Sequence, residues 1–190
     1  MKRKNLSTAV VIAVCLALLS TLTVLAGQFY GTAGDDKING TNSADDINGA
    51  SGNDTLYGLG GNDQILGMAG QDLIYGGEGN DKINGGKGQD QAYGEAGNDT
   101  IIGGIGADRL RGGSGADRIN GGDNRDTIMG DSGDDRLYGD GGDDRVSGNV
   151  GNDILNGGPG ADTLIGGPGY DVCYADKEDK MVDCEKIYGR

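Results

Sequence analysis

Apolar residues recur at every ninth position along most of the chain: Ile38, Ile47, Leu56, Ile65, Ile74, Ile83, Ala92, Ile101, Leu110, Ile119, Ile128, Leu137, Val146, Leu155, Leu164 and Cys173. Side chains in a strand alternate between faces, so one apolar residue between two outward-facing neighbours predicts a three-residue strand. The six residues between successive triplets are rich in Gly and end in Asp, which predicts a tight loop. A fixed short period marks a solenoid, in which strand and loop wind into stacked coils. The expected fold is all-β.

The loops are as regular as the strands. Asp36, Asp45, Asp54, Asp63, Asp72, Asp81, Asp90, Asp99, Asp108, Asp117, Asp126, Asp135, Asp144, Asp153, Asp162 and Asp171 each precede one of these apolar residues by two. Five residues before every one of them stands a Gly, and two before stands another, except at Ser43 and Asn124. Gly at the first and fourth loop positions is expected to supply backbone with φ > 0. Asn124 is a good substitute there, whereas Ser43 weakens its loop. Pro159 and Pro168 fall at the third position, compatible with φ near −65°. A loop of this kind turns carbonyl oxygens toward a common point, and with a carboxylate at its end it is a hard-oxygen site suited to calcium.

The run Gly76-Gly77-Glu78-Gly79-Asn80-Asp81-Lys82-Ile83-Asn84 resembles the nonapeptide of the RTX (repeats-in-toxin) family, in which the eighth residue is large and apolar. The resemblance covers Gly31 to Tyr174. It implies a parallel β-roll solenoid of sixteen repeats in about eight coils, with calcium held between loops two repeats apart. All sixteen repeat aspartates then become metal ligands, in two columns of eight with seven gaps each, for at most about fourteen ions. One apolar residue in nine buries too little to offset the ordering of nine residues. Folding on binding calcium is the expectation that follows.

The first 26 residues differ from the rest: Lys2, Arg3 and Lys4 precede an apolar run without charge, the layout of a secretory signal peptide. Val24 and Ala26 place cleavage after Ala26; the alternatives are a retained anchor and a lipoprotein signal at Cys15, which Val14 fits poorly. The expected division is therefore signal peptide 1–26, β-roll 27–174 and a short C-terminal cap 175–190, with the chain secreted or, if anchored, at the cell surface. All 30 acidic residues lie beyond the signal and 3 of the 16 basic ones within it, leaving the remainder at −17. That charge disfavours nucleic acid and invites cations. In an oxidising compartment Cys173 and Cys184 are expected to form a disulfide, with two free thiols as the alternative.

At the ends of the repeat, Phe29 extends the inward phase backwards. Ala175 and Lys180 break the loop pattern, while Val182 keeps the phase. Tyr57, Tyr75 and Tyr93, eighteen residues apart, are expected to stack on one face, either as a stiffening ladder or as a binding strip.

The expected role is calcium binding by a structural or interaction module outside the cell, with cell-surface or matrix components as candidate partners. The alternatives are the calcium-binding module of a toxin or hydrolase system, and an extracellular calcium buffer or mineral nucleator. No enzyme is expected, and no catalytic substrate: the chain has no His for a zinc protease or a Ser-His pair, and little sequence lies outside the repeats.

Overall fold

The structure, a computed structural model, describes residues 27–189; the proposed signal peptide and its cleavage point lie outside the described residues. Nineteen strands and no helix are present among these residues. Successive strands alternate between two parallel sheets of ten and nine strands, so the chain winds as a β-solenoid of about nine turns. Each residue pairs with the one eighteen positions on, as in Ile65↔Ile83 and Leu110↔Ile128. One more turn forms than the sixteen repeats supply, because segments at both ends join the sheets.

The core is a thin file of the apolar residues that recur every nine positions. Every one from Ile47 to Cys173 is at most 2% exposed, and Phe29, Ile38, Met181 and Cys184 pack against its two ends. Burying each Ile or Leu contributes roughly 1.5–3 kcal/mol. Phe29 aligns with Ile47 in strand Gln28–Tyr30 and covers the N-terminal end.

Strand length departs from the three residues expected. The strands between Thr55 and Val150 have six residues, whereas Lys37–Asn39 and Thr163–Ile165 have three. The extension arises because the second and third loop residues also align with their counterparts in adjacent coils, as in Gly113↔Asp131 and Ser114↔Ser132.

The tail also departs from its expected phase. Met181, not Val182, aligns with Leu164, and Val182 is exposed. The last loop on this side is one residue short. The Asp162 N–H donates to Asp179 Oδ1 at 3.0 Å, seventeen residues away instead of eighteen. Strand Lys186–Gly189 pairs with Val172–Ala175, and a disulfide joins Cys173 to Cys184 across a Cα separation of 6.0 Å.

Candidate metal centre

Both oxygens of each repeat aspartate have definite surroundings. From Asp36 to Asp153, every Asp N–H donates to Oδ1 of the Asp one coil further on, as in Asp81 to Asp99 at 2.8 Å and Asp99 to Asp117 at 2.7 Å. Fourteen such bonds run along the two columns, seven in each. Oδ1 is thus a structural acceptor.

Oδ2 is different. In Asp54, Asp63, Asp72, Asp81, Asp90, Asp99, Asp108, Asp117, Asp126, Asp135, Asp144, Asp153, Asp162 and Asp171 it is buried without a hydrogen-bond partner. A charged oxygen taken out of water in this way is costly unless a cation faces it. Main-chain oxygen lies beside it. A Cβ placed on Gly76 would collide with Asp81 Oδ2 and come within 2.8 Å of the Gly94 carbonyl oxygen of the next coil. The first loop Gly is therefore required for space. This corrects the expectation that it supplies φ > 0, a role that falls to the second and fourth positions, as in Gly77 (φ 113°) and Gly79 (φ 128°). Asn124, at a fourth position, has φ 80° as expected.

Burial raises these carboxyl pKa values, and the Oδ1 hydrogen bond only partly offsets it. Asp99, Asp126 and Asp135 are pushed up to about 7. Asp63, Asp72, Asp90, Asp153 and Asp162 are pushed up to about 6. Like charges in neighbouring coils, such as Asp117 for Asp99, add to the rise. Among the described residues no three acidic or Cys side chains converge on one point. Calcium takes 6–8 oxygens, so most of its shell here would come from main-chain carbonyls. The donor set fits a hard cation: anionic Oδ2 and glycine carbonyls would hold calcium, which would supply the missing neutralisation.

Asp36 and Asp45 stand in the same columns but are satisfied by protein. Asp36 Oδ2 accepts from the Thr32 N–H at 2.6 Å and hydroxyl at 2.9 Å, and Asp45 Oδ2 from those of Thr41 at the same distances. The second loop residue decides this. It has positive φ in all fourteen loops with an unpartnered Oδ2, even where it is Leu59 (φ 79°), Met68 (φ 79°) or Glu95 (φ 76°), but not at Thr32 or Thr41. With that backbone the Thr N–H faces its own carboxylate and takes the place of an ion.

Other features were not anticipated. Asp35, Asn53, Asn62, Asn80, Asn98, Asp134, Asp143 and Asn152, at the fifth loop position, each accept the N–H of the residue eighteen positions later. The signal for this outer ladder was the recurrence of Asn or Asp just before the repeat Asp. Tyr57, Tyr75 and Tyr93 do stack, with ring centroids 5.1 and 5.0 Å apart and planes within 11°. Their faces cover one another, which favours the stiffening ladder.

Fold and site together define a parallel β-solenoid with two files of carboxylates poised for hard cations. The chain matches the RTX calcium-binding nonapeptide repeat at residues 28–56, 57–92, 93–128, 120–155 and 138–173, and it belongs to that family. Its repeats are calcium-binding repeats. Among curated proteins none matches the chain.

Proposed function

We propose that the chain is exported, folds on binding calcium outside the cell, and serves there as a structural or interaction module rather than a catalyst. The observation that carries this reading is the set of fourteen buried, unpartnered Oδ2 atoms in two columns. Without a cation they repel one another and lack solvation; with one they become the bonds between coils. Extracellular modules bind calcium at about 10⁻⁴–10⁻³ M, so a calcium-poor cytoplasm would leave the chain unfolded until export. The charged N-terminus and apolar run of residues 1–26 support the export step.

Ion positions follow from the loops. The sixteen repeats leave seven gaps on each edge. Thr32 and Thr41 close the first gap on each side, so twelve of those fourteen gaps take an ion. The test is far-UV circular dichroism and size exclusion of residues 27–190 in millimolar calcium and in chelator. A compact β spectrum only with calcium is expected, and identical behaviour in both would overturn the reading. Mass spectrometry of the chain recovered from medium tests export, with a start at Gly27 expected. Turnover in a screen of lipid, peptide and glycan substrates would overturn the non-catalytic role.

A further inference from the structure

The last repeat aspartate, Asp171, has no repeat loop above it, yet it is fully buried and its Oδ2 has no partner. Its surroundings nonetheless copy the interior gaps. At Gly139 in the interior, an added Cβ would collide with Asp144 Oδ2 and lie 2.5 Å from the Gly157 carbonyl oxygen. At Gly166 it would lie 2.5 Å from Asp171 Oδ2 and collide with the carbonyl oxygen of Asp183, a residue of the tail. Asp183 thus supplies the carbonyl that the first Gly of the next loop supplies in the interior.

Two more tail residues complete the imitation. Glu185 Oε2 accepts the Asp171 N–H at 2.7 Å, as Oδ1 of an Asp does in the interior, and the Lys186 N–H donates to the Asp171 carbonyl at 3.0 Å. Between Asp183 and Glu185 stands Cys184, bonded to the buried Cys173. The tail here is otherwise exposed from Glu185 to Gly189. The disulfide is the one covalent link that holds Asp183 and Glu185 against the last coil.

We propose that the tail builds a further calcium site, beyond the gaps between repeats, from Asp171 Oδ2 and the Asp183 main-chain carbonyl, and that the Cys173–Cys184 disulfide sets its affinity. The site is a thirteenth position, and it binds tightly only in the oxidised chain. Support at one remove from the ligands governs metal affinity by about 10–100-fold. Reduction therefore loosens this ion and leaves the interior file bound. The inference rests on the calcium-binding reading above.

The experiment counts bound calcium by equilibrium dialysis on residues 27–190 and follows the isotherm by calorimetry. Asp171→Asn keeps the Oδ1 acceptor for the Asp153 N–H and should bind one ion fewer with the same circular dichroism in saturating calcium. Thiol reduction, or the double variant Cys173→Ala with Cys184→Ala, should weaken one ion about tenfold or more. An unchanged count in Asp171→Asn, or an isotherm indifferent to the disulfide, would overturn the tail site while the interior ions remain. Absence of any bound calcium would instead overturn the reading on which it rests.

Discussion

The first coil and the coils after it carry the same aspartates in the same columns, but they satisfy them differently. In the loops Gly31–Asp36 and Gly40–Asp45, threonine N–H and hydroxyl groups occupy Oδ2. In the fourteen loops that follow, no protein donor reaches it. A repeat motif therefore does not by itself specify an ion. The residue after the first Gly does, by presenting or withholding an N–H and hydroxyl to Oδ2, while the next coil's carbonyl, such as that of Gly49 or Gly58, stands beside the gap in either case. The first coil gains an end that needs no metal, because its carboxylates are satisfied within their own loops.

The sharpest way to break this comparison is to remove one carboxylate from each region. Asp99→Ala should cost one bound ion and, by orphaning the Asp81 N–H that Oδ1 accepts, a further 1–3 kcal/mol or about that much in saturating calcium. Asp36→Ala should leave the ion count unchanged and cost no more than about 0.5 kcal/mol, since its donors are exposed. Denaturant unfolding with calcium counting reads both. Equal loss of ions in the two variants would erase the distinction.

Protons offer a second test of the interior, without metal. Asp99, Asp126 and Asp135 have folded pKa values pushed up to about 7 from 3.8 by burial. A group with a raised folded pKa binds protons more tightly in the folded state, so its stabilising effect is complete below the unfolded value and is lost as pH rises through the folded one. In chelator, β structure should therefore grow as pH falls from 8 toward 4. The same protonation should compete with calcium and weaken its binding below about pH 7. Circular dichroism at fixed chelator, and titrations at pH 6 and 8, check the two signs.

Much of this was open to reading in the chain itself, and the limits have physical causes. The nine-residue period places the inward file and the two carboxylate columns, because a coil of two repeats leaves no freedom in register. The division of labour between Oδ1 and Oδ2 was not readable, since it depends on the height of one coil above the next. The threonine closure had a signal: Thr32 and Thr41 are the only threonines at the second loop position. The tail had one too. Asp179-Lys180-Met181 and Glu185-Lys186-Ile187 repeat the acidic, any, apolar triplet, but a strict step of nine passes over both because their loops are shorter.

A gain of function sharpens the comparison further. Thr41→Gly gives the second loop the residue found at Gly77 and Gly86, where φ is 113° and 108°. It removes the hydroxyl donor and lets the Gly40–Thr41 peptide turn over, which frees Asp45 Oδ2 to face the Gly58 carbonyl, 2.6 Å from the point a Cβ on Gly40 would occupy. The variant should bind one more calcium than the parent. The converse, Leu59→Thr, puts a β-branched residue where φ is 79°, a conformation such residues resist; it should close its loop and release one ion. Unchanged counts in both would show that the second residue does not govern the gap.

The smallest expected effect separates the ion file from the ladder that runs outside it. Asn98 Oδ1 accepts the Ala116 N–H at 2.7 Å, and the Asn98 N–H donates to Asn80. Asn98→Ala removes only the side-chain acceptor, because its own N–H remains to bond Asn80. The bond lies on the exposed edge, where water can replace it, so the loss should be near the lower end of about 0.5–1.5 kcal/mol, with the calcium count unchanged. If Asn98→Ala also released an ion, the outer ladder would be positioning the loops that hold the metal, and the two rows would act as one device.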